Sequence, residues 1–135
     1  MPMGEKLFEE KGKYTMMFVE SVDADGATMK QSFSSDITGF GRCPSGMNMG
    51  SGTIWMKQDG KAYSKWSGML MSKDNEIIVW NASGNGKQMG GELKGIIVAT
   101  FMTKSEKYAW MNSIIAVLDI KGGMMEFSDV AYAWE

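Results

Sequence analysis

Histidine is absent from this chain. Its absence removes the usual general base at neutral pH, the commonest zinc and haem ligand, and every Ser-His or Cys-His nucleophile. Any enzyme built from these residues must work with carboxylates, tyrosine, lysine, amides or shape, and no metal or other cofactor is expected. Cysteine occurs once, as Cys43, which rules out an intramolecular disulfide. Arginine also occurs once, as Arg42, and the 14 basic residues are interspersed with 16 acidic ones for a net charge of -2. Nucleic-acid interfaces need a clustered basic surface with arginine as the preferred base reader, so no nucleic-acid partner is expected. No apolar run approaches the ~20 residues that span a bilayer, so no membrane partner is expected either. The first residues, Met1-Pro2-Met3-Gly4-Glu5-Lys6, lack the apolar core of a secretory signal. Together with the lone thiol, this predicts a cytoplasmic protein. Asn81-Ala82-Ser83 matches the glycosylation pattern, which carries no meaning in that compartment.

What is present is the composition of one globular domain spanning 1–135, with 44% hydrophobic and 22% charged residues. Short apolar segments recur at even spacing, divided by glycine, asparagine and aspartate, which predicts an all-β sandwich or barrel. Strands are expected over 6–11, 13–22, 27–38, 47–58, 61–72, 76–83, 92–103, 108–120 and 124–134, the first two open to being one bent strand. Asp25-Gly26, Asp59-Gly60, Asp74-Asn75, Gly84-Asn85-Gly86 and Gly122-Gly123 supply residues that tolerate positive φ in the turns between them. Of the 17 glycines, Gly50, Gly52 and Gly68 fall inside strands, where a bulge or sharp bend is expected. The connections are too short for βαβ crossovers, so neighbours should pair antiparallel. One segment resists this reading. Thr103-Lys104-Ser105-Glu106 fits a capping box, and Met111, Ile114, Ile115 and Leu118 recur at helical spacing. The strand is preferred there because Ile114, Ile115, Val117 and Ile120 are β-branched. A terminal strand dense in aromatics needs a partner, and pairing it with an early strand would close the sheet.

The run Gln31-Ser32-Phe33-Ser34-Ser35-Asp36-Ile37-Thr38-Gly39-Phe40-Gly41, the later Gly50-Ser51-Gly52-Thr53 and the strand rhythm resemble the allene oxide cyclase-like barrels. That group includes plant cyclases, dirigent proteins and small bacterial proteins of unknown function. The resemblance implies a single antiparallel, calycin-type barrel of about eight strands, with a largely apolar cavity and no metal. No catalytic residue carries over, because the cyclase's active-site motif has no position-by-position match here.

Three local features invite a functional reading. The chain is rich in methionine, with 15, and Met47-Asn48-Met49 and Met69-Leu70-Met71 would each put two thioethers on one strand face, as a Cu(I) site needs. Without cysteine or histidine to complete a site, adaptable apolar filling is the simpler account. Gly84-Asn85-Gly86-Lys87-Gln88-Met89-Gly90-Gly91 imitates a phosphate loop, but no Ser or Thr follows the lysine and no helix is expected after it. Cys43 sits beside Arg42, which would lower its pKa, yet no base or resolving cysteine accompanies it.

Assigning faces by strand alternation gives the candidate site. Lys57 outward puts Asn48, Gly50, Ile54 and Met56 inside, and Lys65 outward puts Ser64, Trp66 and Leu70 inside. Lys107 and Asp119 outward put Tyr108, Trp110, Asn112 and Ile114 inside. Asp129 and Glu135 outward put Glu126, Ser128, Tyr132 and Trp134 inside. The candidate ligand-binding residues are therefore Asn48, Trp66, Trp110, Asn112, Glu126 and Tyr132. An apolar cavity with a few convergent polar groups is the usual form of a small-ligand site. A carboxylate there, Glu126 on this phase, would have a raised pKa suited to acid–base work. The first reading is a barrel that binds a small apolar ligand. Two alternatives stand beside it: a cyclase or isomerase acting on an apolar substrate, with Glu126 or Asn112 assisting, and a structural protein whose aromatics form a homo-oligomer interface.

Overall fold

Period-two alternation governs nearly the whole chain, and it closes on itself. The computed structural model describes residues 3–134, so the outward position expected for Glu135 falls outside it. Eight strands pair with their chain neighbours, and the last pairs with the first, to form a closed antiparallel barrel. They are β1 Met3–Asp23, β2 Gly26–Gly39, β3 Gly46–Lys57, β4 Lys61–Ser72, β5 Ile77–Met89, β6 Glu92–Met102, β7 Ile115–Gly122 and β8 Glu126–Trp134. The two expected N-terminal strands are one: β1 runs through 21 residues, with register breaks between Tyr14 and Met16 and between Val19 and Ser21. Hairpin chemistry follows the sequence at two turns, where Gly60 and Asn75 take φ of 91° and 66°. At the first turn the Asp23 carboxylate accepts hydrogen bonds from the backbone N–H groups of Asp25 and Gly26, at 2.8 and 3.1 Å.

Three expectations need correction. Gly84-Asn85-Gly86 is not a turn, because β5 continues through it to Met89 and reverses at Gly90-Gly91. A Cβ at Gly84 would press on the Ile97 side chain, and Gly86 lies opposite Gly95, so these glycines permit close strand packing. Nor do Gly50, Gly52 and Gly68 mark bulges, since the β2–β3 and β3–β4 registers run through them without a break. They make room for indole rings: a Cβ at Gly50 or Gly68 would overlap Trp80, and one at Gly52 would overlap Trp66.

The third correction concerns 103–114, which is neither the expected strand nor the alternative helix. It is a loop ending in a 3-10 turn, Ala109–Ser113, and strand pairing resumes only at Ile115. Side chains here take over the backbone's partners, as Asn and Thr do when they compete with regular ladders. The Asn112 amide accepts from Thr103 N–H at 2.7 Å and donates to Thr103 C=O at 3.0 Å, while the Thr103 hydroxyl donates to Ile77 C=O. Lys107 and the Tyr108 hydroxyl both bind the Asp74 carboxylate, at 2.7 and 2.9 Å, which ties the loop to the β4–β5 turn. Tyr108 and Met111 are buried beneath it and plug one end of the barrel.

The loop between β2 and β3 completes that closed end. Phe40 N–H donates to Leu7 C=O, Cys43 is buried, and the Arg42 guanidinium lies 3.9 Å over the Trp110 ring while pairing with Glu5 at 2.6 Å. At the opposite end, where β1 meets β2, β3 meets β4, β5 meets β6 and β7 meets β8, the described residues form no such plug.

Candidate functional site

Inward residues near the middle of each strand enclose a cavity of about 70 Å³. Its walls are mostly apolar, from Phe8 on β1, Phe33 and Ile37 on β2, Leu70 on β4, Ile97 and Phe101 on β6, and Leu118 on β7. Aromatic rings crowd one side. Phe33 meets Phe127 edge to face at 5.2 Å and Trp66 at 5.7 Å, and Tyr14 lies 5.3 Å from Phe127. Toward the unplugged end lies a wider mouth of about 340 Å³, which shares Tyr14, Trp66, Ile97 and Ile120 with the cavity. Four methionines, Met17, Met29, Met56 and Met124, stand around it. Flexible thioether chains suit an entrance that must re-pack around its contents.

Set into these apolar walls is a pair of carboxyl groups. Glu10 on β1 and Asp129 on β8 are directly opposite in the strand register, and each is only 4% exposed. Glu10 is well supplied with donors: the Ser35 hydroxyl makes a short bond to its Oε2, and the Asn48 amide donates to the same oxygen at 2.9 Å. Trp80 Nε1–H donates to Asn48 Oδ1 at 2.7 Å, which fixes which end of the amide faces Glu10. Gly50 and Gly68 hold Trp80 in that position by leaving space for its ring.

Asp129 is different. Neither of its oxygens has a donor among the described residues, and the Glu10 carboxyl stands beside it across the β1–β8 ladder. Burial pushes its pKa far above the carboxylate range, and the negative charge of Glu10 pushes it further in the same direction. Two carboxyls this close cannot both ionise cheaply, so Asp129 keeps its proton at neutral pH. The Tyr14 hydroxyl, half-buried beside them, is pushed up to about 12 by burial first and then by Asp129 and Glu10, so it remains neutral. Trp66 contributes one more unsatisfied group, an Nε1–H without an acceptor on the cavity wall.

The six residues proposed from sequence divide. Asn48 and Trp66 line the cavity. Trp110 and Asn112 belong to the 3-10 turn outside the barrel, one stacked under Arg42 and the other holding Thr103. Glu126 is exposed at the start of β8, in an outer groove with Lys11, Lys13, Lys94 and Lys121. Tyr132 stands half-buried on the outward phase of β8, between the buried Ala131 and Ala133. The phase of β8 is thus inverted relative to expectation, and the inward set is Phe127, Asp129, Ala131 and Ala133. The error came from treating Asp129 as an outward charge. A signal was available, since Phe127, Ala131 and Ala133 alternate with it at period two, and only the acid breaks an otherwise apolar column. Glu10 falls in a similar column with Phe8, Gly12 and Tyr14.

Outside the barrel, two further groups are strongly perturbed. Cys43 is pushed up to about 12, chiefly by burial and then by Glu5, with Arg42 opposing, so it is an inert thiol at neutral pH. Asp74 is held well below the usual carboxylate range by Lys107, Ser72 and Tyr108. Among the described residues, no helix is long and apolar enough to cross a membrane.

No family model matches this chain, and no curated protein matches it. Solved structures do. A protein of unknown function from Clostridium acetobutylicum superposes with a TM-score of 0.83 at 18% identity, covering 100% of both chains. A β-barrel-like protein from Acinetobacter baumannii gives 0.82 at 16% identity, covering 100% of this chain and 98% of that one. An enzyme from Penicillium herquei gives 0.66 at 16% identity, covering 96% of each chain. At these identities the likeness establishes the barrel fold alone.

Proposed function

We propose that this barrel is a cytoplasmic binding protein for a small, largely apolar ligand, held in the interior with a polar group against Glu10 and Asp129. The observation that carries the reading is the continuity of the site: a methionine-ringed mouth leads to an apolar cavity whose wall holds a buried acid without a donor. Buried polar groups are nearly always satisfied, so Asp129 and the free Trp66 N–H favour a partner brought from outside. An eight-stranded barrel has an interior that side chains can just fill or that can hold one small ligand. The sequence resemblance to the allene oxide cyclase-like barrels supports the same reading.

A panel of long-chain apolar compounds tests it through tryptophan emission. Some members should perturb the emission saturably, and Trp66→Phe should weaken their binding while Trp110→Phe leaves it unchanged. A panel without any saturable response sinks the proposal, and equal effects of the two substitutions move the site out of the barrel. The second reading, an enzyme of the cyclase or isomerase kind, is favoured by the protonated Asp129 beside Glu10, since a neutral acid and a carboxylate together can pass a proton through a bound molecule. Chemical conversion of a bound compound, lost in Asp129→Asn with binding retained, is its test.

A further inference from the structure

The interior contains acid and no base. Neither the cavity nor its mouth is lined by any lysine or arginine, so the Glu10–Asp129 pair places an uncompensated negative charge inside an apolar barrel. A buried charge is costly unless it is paired, and among the described residues the cavity and its mouth offer no partner of opposite sign. The amide and hydroxyl donors around Glu10 stabilise that charge without neutralising it. Both oxygens of Asp129, 4% exposed on the cavity wall, still lack a donor. The surrounding walls are of the kind that attract cations: Tyr14, Phe33, Trp66, Trp80 and Phe127 all face the same space, and ring faces draw positive charge most strongly where water is excluded.

We propose that the ligand of this barrel is an apolar amine in its ammonium form, with its N–H groups on Asp129 and Glu10 and its hydrocarbon body among the aromatic rings and the methionines of the mouth. The proposal rests on the binding reading above and narrows it to one charge class. An ammonium would supply the donors that Asp129 lacks and offset one negative charge of the pair, while its apolar body lies among the aromatic rings and the mouth. Anionic ligands are repelled by the same charge. A neutral oxygen-bearing ligand is the real competitor, because the free Trp66 N–H would suit a carbonyl or hydroxyl oxygen.

Binding should also be linked to protons. An ammonium beside Asp129 favours its ionised form, so the proton is expelled on binding and affinity rises with pH. Of the groups facing the pair, Ser35 on β2, Asn48 on β3 and Trp80 on β5 do not titrate, and Tyr14 on β1 stays neutral.

Three compounds of similar size and different charge make the experiment: benzylammonium, benzyl alcohol and benzoate, titrated against the full-length protein by calorimetry and tryptophan emission. Benzylammonium should bind about tenfold tighter than benzyl alcohol or better, benzoate should bind weakest, and only benzylammonium should tighten between pH 6 and 8. Glu10→Gln combined with Asp129→Asn, both isosteric, should bring benzylammonium to the level of the alcohol. Should the double variant not fold, the pH dependence and the charge ranking on the unmodified protein decide the matter by themselves. Benzyl alcohol equalling benzylammonium, or an ammonium preference that survives the double substitution, overturns the proposal. If long neutral compounds bind and benzylammonium does not, the charge assignment falls and the binding reading stands. If nothing binds, both fall.

Discussion

Replacing Asp129 by Asn should stabilise this protein, and by an amount that grows as the pH rises. In the unfolded chain Asp129 releases its proton near its ordinary pKa of about 3.9. In the barrel, burial first and the charge of Glu10 second hold the proton on far beyond that point. Between these two values the folded state binds one more proton than the unfolded state, so stability falls with rising pH by up to about 1.4 kcal/mol per unit. The sign is opposite to that of a salt-bridged carboxylate: stability is fully present below the unfolded pKa and is lost as pH climbs toward the folded one. Asparagine keeps the volume and can donate an N–H to Glu10 without carrying a proton that the unfolded chain would shed. The stability difference, variant minus wild type, should therefore widen by as much as roughly 4 kcal/mol between pH 5 and 8. Urea unfolding followed by tryptophan emission at four pH values measures it. Working with the difference cancels other titrating groups, and Asp74, held below the usual carboxylate range, is ionised in folded and unfolded chain alike across this window and adds no slope. Glu10→Gln separates the two causes. It removes the charge and leaves the burial, so the wild-type slope should become shallower without vanishing. A difference that stays flat across the range would mean that Asp129 is ionised in the barrel, and the account of the pair would be wrong.

The barrel itself was legible in the sequence, because turn residues and period-two apolar alternation act locally and agree along most of the chain. Lys57 and Lys65 gave β3 and β4 their correct phases, and with them Asn48 and Trp66 on the inner wall. The inference failed where one rule, that charges face water, was applied to an acid that does not. Asp129 faces Glu10 across the β1–β8 ladder, a pairing that joins residues at the two ends of the chain. Single-sequence reading has no access to such a partner. The glycines misled for a related reason. Gly84 and Gly86 have the chemistry of a turn, but their role is set by Ile97 and Gly95 across the ladder. Similarly, the apolar periodicity of 111–118 fits strand and helix alike; Ile115 onward belongs to β7, while 109–113 form a 3-10 turn in which Asn112 captures the backbone of Thr103. Local alternation could be read directly and placed Asn48 and Trp66, whereas the pairing of Glu10 with Asp129 is a long-range contact.

Cys43, buried and with its pKa pushed up to about 12, should resist a thiol reagent at pH 8 in the native protein and react promptly in denaturant; rapid native labelling would show that the loop between β2 and β3 opens readily. Gly68→Ala should be costly although it adds only one methyl group. The new Cβ would overlap the Trp80 ring and the Met49 carbonyl, and neither backbone nor indole can yield without moving the Trp80–Asn48–Glu10 chain. Overpacking of this kind typically costs about 1–3 kcal/mol, whereas Gly91→Ala, with nothing near its added Cβ and no positive φ, should stay within about 0.5 kcal/mol of wild type. Urea midpoints give both values. Because a displaced Trp80 would free the Asn48 amide to turn, Gly68→Ala should also lose ligand response in the emission assay, and Gly91→Ala should keep it. A Gly68 variant that is destabilised yet binds normally would show that the indole supports the wall but does not orient the carboxyl pair.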